Sequence, residues 1–353
     1  MKKLLSVATA SVFAEQLADH NHCCFPRVDY LELQNLLHAE TMDYSSYDKR
    51  YAGKALRYME TQLRSDIFLA TITWLRSHKY PVVFTWSERA GIPFAIYKRL
   101  TQTSSRFVTM FQCWSHRQEL AITKFNLFSV MDNIIVHCTS MRDNLVRLGA
   151  QEDKIKIIHY SIDQSFFSPL PDITPQKNLI MSIGEPRSRD YDSLFRAVDG
   201  LPVNLKLPAY GHWYAREKNN SLHIPIPANV SLLKHLAQVE LRKLYASSQF
   251  VILPLRDLVY SAGATATLEA GSMARAVIAF RSEGITDYII DGETGILVES
   301  GNAAELRNAI QFLLANPTEA KRLGENARQR IEESLCLEKY VRNIADLLNQ
   351  NIS

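Results

Sequence analysis

At 353 residues the chain exceeds what one ordinary hydrophobic core organises and fits two domains of usual size. With 46% hydrophobic and 22% charged residues it has the make-up of a globular protein. A net charge of +3 is mild: it allows anionic ligands or a membrane surface but gives no nucleic-acid footprint, which would need basic residues concentrated on one face.

The opening, "MKKLLSVATASVFA", combines two lysines, a short apolar stretch and Ala8-Thr9-Ala10, the parts of a secretory signal. Ser and Thr dilute the apolar run, and acidic and His-rich sequence follows, so a cytoplasmic chain is expected. The five cysteines are odd in number and lack CxxC spacing, which fits neither a disulfide framework nor a zinc site. Cys113 and Cys138 fall in apolar runs and read as buried thiols. No run of about eighteen apolar residues offers a membrane span.

Further along, short apolar strands alternate with amphipathic helices, the pattern of parallel sheets covered on both faces. Residues 54–78 read as one long helix. Strands follow at Pro81–Trp86, Arg106–Gln112 and Asn133–Thr139, with helices at Ile92–Leu100 and Arg117–Met131. Lys154–Asp163 is a further strand. "SPLPDITPQK" (168–177) holds three prolines and reads as a linker. The pattern then restarts with strands at Asn178–Gly184, Val203–Gly211, Asn229–His235, Gln249–Leu255 and Ala276–Phe280. Helices begin at Tyr191 and span Glu240–Ala246. The tail from Ala303 is helical, divided near Asn316-Pro317, and ends in an amphipathic helix at 337–349. The expected fold is α/β, with two doubly wound, Rossmann-like domains facing each other across a cleft. The domains are 1–167 and 178–336, with 337–353 a helix that packs back on the first.

Ligands in such sheets bind where strand ends lead into helices. That places the chemistry after Gly184, Gly211, His235 with Leu236, Leu255 and Phe280, and after Trp86 and Gln112 in the first half. "SAGAT" (Ser261, Ala262, Gly263, Ala264, Thr265) precedes a helix carrying Glu269. Small residues there let an anion approach bare helix amides, with Glu269 reaching attached hydroxyls; they equally permit close helix–strand packing. Arg187 and Arg189, after the Gly184 strand, suit a diphosphate, and Arg256 with Asp257 share that rim. On the first half's rim stand Ser87, Glu88 and Arg89, then Ser115 and His116.

The blocks "LIMSIGEPRSRDYDSLFRAVDGL", "NVSLLKHLAQVELRKLYASSQFVILPL" and "GATATLEAGSMARAVIAF…LGENAR", over 178–328, resemble the donor half of GT-B glycosyltransferases of the family 4 type. "HCTSMRDNLVRLGAQEDKIKIIHYSIDQSFF" resembles the end of that family's acceptor domain. The resemblance implies a retaining glycosyltransferase using a nucleotide-sugar, UDP-linked first and GDP-linked next, as co-substrate. It implies no further cofactor and no divalent metal, since amides and Arg187 and Arg189 meet the leaving diphosphate. Glu269 matches the ribose-holding Glu, and His116 an acceptor-side His fit to handle a hydroxyl proton. The family's Glu-x7-Glu pattern would place an acid where this chain has Ser261, and its glycine-rich loop after the first strand is not evident. Other readings are a nucleotide-binding but non-catalytic member, and an epimerase or phosphorylase on the same frame. The acceptor is a small molecule, glycan or glycolipid. "YKRL" (Tyr97–Leu100) and the 54–78 helix are the features for peripheral membrane contact, although amphipathic helices more often face a core.

Overall fold

The computed structural model describes residues 3–10, 19, 22–46, 56, 58–62, 65–208 and 225–352. The chain divides into two compact units: one of Met1–Ala18, Arg27–His159 and Glu338–Ser353, the other of Asp19–Pro26 and Tyr160–Leu337.

The first unit is built on six parallel strands in the order β2-β1-β3-β4-β5-β6. These are β1 (Leu4–Val7), β2 (Glu40–Met42), β3 (Val82–Thr85), β4 (Arg106–Met110), β5 (Asn133–Val136) and β6 (Ile155–Ile157). Helices α1 (Asp29–Leu37), α2 (Ile67–Ser77), α3 (Glu88–Thr101), α4 (His116–Lys124) and α5 (Thr139–Arg147) alternate with them. The second unit orders its parallel strands β12-β11-β10-β7-β8-β9. They are β7 (Leu179–Ser182), β8 (Asn204–Leu207), β9 (Val230–Leu232), β10 (Phe250–Leu253), β11 (Ala276–Phe280) and β12 (Ile296–Val298). Its helices are α6 (Tyr191–Val198), α7 (Gln238–Ser247), α8 (Ala264–Ser272), α9 (Ala303–Ala315) and α10 (Pro317–Ser334). The last helix, α11 (Leu337–Ile352), lies almost wholly within the first unit.

Helices on both faces bury central strands completely, which is why "FVIL" and "AVIAF" are apolar without alternation. The strand order reverses between β7 and β10 in the second sheet. The loops leaving those two strands therefore diverge and leave a crevice, where ligands of doubly wound sheets bind.

The structure departs from the sequence expectations in four places. Among the described residues, the 54–78 helix is not continuous: residues 58–62 are helical, then Ser65 and Asp66 leave the helix before α2 begins. The expected 117–131 helix ends at Lys124, because Asn126 turns left-handed (φ 47°) into a 3-10 turn at Leu127–Val130. The weakly patterned first fifty residues supply β1, α1 and β2, and "ILV" at Ile296–Val298 adds an edge strand. Cys113 is exposed on the loop after β4, whereas Cys138 is buried; none of the five cysteines is in a disulfide.

Helix α8 ends in a turn that glycine usually makes. Ala274 sits left-handed at φ 53°, with its N–H donating to Gly271 O (2.9 Å) and the Arg275 N–H to Ala270 O (2.8 Å). A side chain in this conformation costs about 1 kcal/mol. Ala274→Gly is expected to raise stability by roughly that amount, read as a higher denaturant midpoint at unchanged slope.

Candidate nucleotide site

The site is assembled by pairing the loops after β7 and β10. Arg189 and Leu255 form an antiparallel bridge, the Asp190 N–H donates to Pro254 O (2.7 Å), and the Arg256 N–H donates to Ser188 O (3.1 Å). Arg256 Nε also donates to Arg189 O (3.2 Å). Asp190 then caps α6, its carboxylate accepting from the Ser193 N–H (3.1 Å).

Within this frame the two arginines differ. Arg187 is exposed and lies 3.9 Å from Glu185. Arg189 is buried; its Nε donates to Ile183 O (3.0 Å) and its Nη1 to Ser188 O and Oγ (3.2 and 3.0 Å). Arg189 is thus fixed by its own loop, and Arg187 is the solvent-facing cation of the two. Gly184 makes this possible. It adopts φ 135°, and a Cβ there would overlap the Arg189 guanidinium. Tyr191 Oη donates to Gly184 O (2.8 Å) and locks the turn. Burial weakens the Arg189 guanidinium's hold on its proton, while nearby Tyr191, Tyr245 and Tyr260 act the other way.

After β10, Ser261 and Gly263 are half-buried, Ala262 and Ala264 are buried, and Thr265 is exposed. Gly263 stands at φ 92° at the start of α8, with Leu255 beneath it at the distance a Cβ would need. The Ala264 N–H is used by Ser261 O (3.1 Å). The amides of Gly263, Thr265 and Ala266 meet no acceptor among the described residues. Such bare first-turn amides, with the helix dipole behind them, attract an anion.

Glu269 lies on α8 with its side chain buried. Its Oε2 accepts from Tyr245 Oη on α7 at 2.8 Å. Burial pushes the Glu269 carboxyl up to about 7, with the Tyr245 hydroxyl opposing that rise. The same burial pushes the Tyr245 phenol up. His235 is exposed and Leu236 half-buried before α7. Gly211 lies outside the described residues.

The first unit holds the acceptor-side expectations. Ser87 is 1% exposed and caps α3, accepting from the Arg89 N–H (3.2 Å). Glu88 is buried in the first turn of α3, and its Oε2 accepts from the Gln112 N–H (2.8 Å). Ser87, just ahead of the helix, and Glu88, in its first turn, thus tie the rim together through hydrogen bonds. Burial pushes the Glu88 carboxyl up to about 7. Ser115 bonds Gln118 Oε1 through its N–H and hydroxyl (2.8 and 3.0 Å) at the start of α4. His116 is exposed, with Nδ1 3.1 Å from Glu119 Oε2. Ser115 and His116 border a cavity of about 660 Å³ whose lining joins apolar Ile92, Pro93 and Ile96 with polar Gln62, Arg117 and Gln118.

Among the described residues, one group of metal-ligand type gathers: Asp19, Cys23 and Cys24, with the two Sγ atoms 3.5 Å apart. Its carboxylate is already taken by the N–H groups of Cys24 and Phe25 (2.8 and 2.9 Å).

Sequence reasoning passed over three residues that shape the site. Tyr245 on α7 holds Glu269, and Tyr191 at the start of α6 holds the Gly184 turn. Gly284, from the loop after β11, packs so closely on Tyr260 and Ser261 that a Cβ would stand 2.6 Å from Tyr260 O. Its signal was a lone glycine in a loop after a strand.

Two doubly wound parallel sheets in one chain define the GT-B class of fold. The sucrose-phosphate synthase of Thermosynechococcus elongatus superposes on 99% of this chain and 98% of its own, at TM-score 0.72 and 16% identity. Anabaena HepE in complex with UDP superposes on 99% and 100%, at TM-score 0.69 and 13% identity. Residues 166–330 match the model of the glycosyl transferases group 1 family. An uncharacterised glycosyltransferase of Methanocaldococcus jannaschii is 29% identical over 143 residues, 39% of this chain and 38% of its own length. The Staphylococcus aureus capsular polysaccharide biosynthesis glycosyltransferase CapM is 23% identical over 340 residues, 87% and 88% of the two chains. The first of these curated relatives is therefore matched over less than half its length.

The raised carboxyl of Glu269 sets a pH dependence. Its ordinary value is 4.5 and its folded value about 7, so the folded chain keeps a proton that the unfolded chain releases. Its contribution to stability therefore falls as pH rises through that window and is flat above it. Glu88 acts in the same direction. In Glu269→Gln, the loss of stability between about pH 5 and pH 8 should shrink, by up to about 3 kcal/mol, as measured by denaturant unfolding at each pH.

Proposed function

We propose that the chain is a retaining glycosyltransferase that moves a sugar from a nucleotide-sugar to an acceptor hydroxyl without a divalent metal. The observation carrying this reading is the group of bare amides at the start of α8, beside Arg189 and followed on the same helix by the buried Glu269. The diphosphate would rest on the amides of Gly263, Thr265 and Ala266, with Arg187 turned to its outer oxygens and the neighbouring Arg189 adding positive potential. The Glu269 carboxylate would accept both ribose hydroxyls, which requires its ionised form. As the bond to the sugar breaks, charge develops on the leaving phosphate, and these fixed donors meet it without reorganising.

UDP is the first choice of nucleotide, since Anabaena HepE was solved with UDP and with UDP-glucose; GDP is the second. The acceptor would enter the first unit beside His116 and the 660 Å³ cavity, where Ile92, Pro93 and Ile96 suit a hydrocarbon part and Gln62, Arg117 and Gln118 suit its hydroxyls. Peripheral membrane contact through exposed Leu75 and Leu100 fits a glycolipid acceptor.

The test is a thermal-shift panel of UDP-, GDP- and ADP-sugars in the presence of EDTA, on wild type and Glu269→Ala. One donor should stabilise the wild type, and the shift should disappear in the variant. No response to any nucleotide would end this reading. A second reading rests on Ser261, which stands where related chains place an acid: a member that binds nucleotide without turnover. Stabilisation by a donor with no sugar release or transfer would favour it.

Tyr245→Phe gives a finer measurement. Removing the hydroxyl takes away the group that favours the Glu269 carboxylate, so the carboxyl rises further. Nucleotide affinity, titrated from about pH 6 to pH 9, should climb with pH in both proteins. The climb should be displaced to higher pH in the variant, with affinity at neutral pH lower by about tenfold.

A further inference from the structure

The second sheet has another end. Opposite the nucleotide loops, the residues just before β7, β10 and β11 and the first half of α10 enclose a cavity of about 580 Å³. Pro171, Pro175, Pro317, Ala274 and Ala320 give it apolar walls, and Arg275 stands among them. The Arg275 Nε is sealed from solvent and has no hydrogen-bond partner. No carboxylate among the described residues lies within ion-pair distance of it, and burial alone weakens its hold on its proton. The other two charged residues of the wall, Lys321 and Glu325, face each other at 3.7 Å and cancel. One half-buried guanidinium without an ion-pair partner among the described residues is therefore left in a chamber of mixed lining, with Gln249 as its remaining polar wall, where an anion would compensate it.

The position of Arg275 is also fixed. The left-handed Ala274 directs the chain out of α8, and the Arg275 N–H is held on Ala270 O at 2.8 Å. Gly324 of α10 closes on the Ala274 carbonyl so tightly that no Cβ would fit. The cation is thus carried on a rigid turn rather than on a loose loop.

We propose that this cavity is a second ligand site, separate from the nucleotide site, for a small organic carboxylate. The guanidinium fork would take both carboxylate oxygens, and the proline and alanine walls would take the apolar body. A single net positive charge selects a monoanion over a diphosphate, and the volume is that of an ordinary small-molecule pocket.

Benzoate is the probe, with benzyl alcohol as its uncharged counterpart and chloride at equal ionic strength. Calorimetric titration and thermal shifts should register benzoate on the wild type and on Glu269→Ala, and should register neither control. Arg275→Leu should weaken benzoate binding at least tenfold. This substitution removes an uncompensated charge, so folding should be retained. If it is not, Ala320→Phe, which fills the cavity and leaves the arginine, must abolish benzoate binding instead. The proposal is overturned if the wild type ignores benzoate, or if benzoate binds equally to both cavity variants. It is equally overturned if the Glu269→Ala protein loses the benzoate response, which would place the probe in the nucleotide site.

Discussion

A buried guanidinium has to be surrounded by oxygen atoms, and the rim of the second sheet is arranged around that demand. Arg189 can lie flat in its loop only because Gly184 has no side chain. The carbonyls it needs come from Ile183 and Ser188, on either side of the turn. Once the arginine is seated, its own backbone pairs with Leu255 and brings the loop after β10 alongside the loop after β7. The starts of α6 and α8 are positioned by the same pairing. The guanidinium itself bonds only within the first loop, so it holds the shape that the second loop's backbone then pairs with.

The second requirement is a carboxylate that is neither fully solvated nor fully neutralised. Glu269 is buried enough to be raised towards neutrality, yet has a hydroxyl partner in Tyr245 rather than a cation. A lysine or arginine partner would have locked it as a permanent ion pair. A phenol holds one oxygen by a weaker bond and gives the carboxyl no permanent counter-charge. Glu88 in the first unit shows a different solution to the same burial: its carboxylate is spent on backbone amides and holds two loops together.

Much of the fold was legible in the sequence, because buried parallel strands carry unbroken apolar runs and their helices carry a regular stripe. What escaped notice was short or edge-placed. β1 and β2 have four and three residues, too few for periodicity to speak. The helix break at Asn126 depends on one left-handed residue, which nothing in its neighbours announces. In the site, the stretch from Ser261 to Glu269 stood out because small residues before a helix have a direct physical use. The unequal parts of Arg187 and Arg189 could not be read, since two residues apart on a loop says nothing about which side chain turns inward. Tyr245 lies twenty-four positions before Glu269 and meets it only through the packing of α7 and α8.

The last helix carries a consequence for how the chain is made. Residues Glu338–Ser353 belong to the first unit, where Asn351 Nδ2 bonds Asn133 Oδ1 at 2.8 Å and Glu338 pairs with Arg27 at 2.7 Å. Domains emerging from the ribosome generally complete themselves in order, the amino-terminal one first. Here that order is unavailable. The first unit must wait, lacking its final helix, until the whole of the second has been synthesised, so the earlier part of the protein is the later one to be finished.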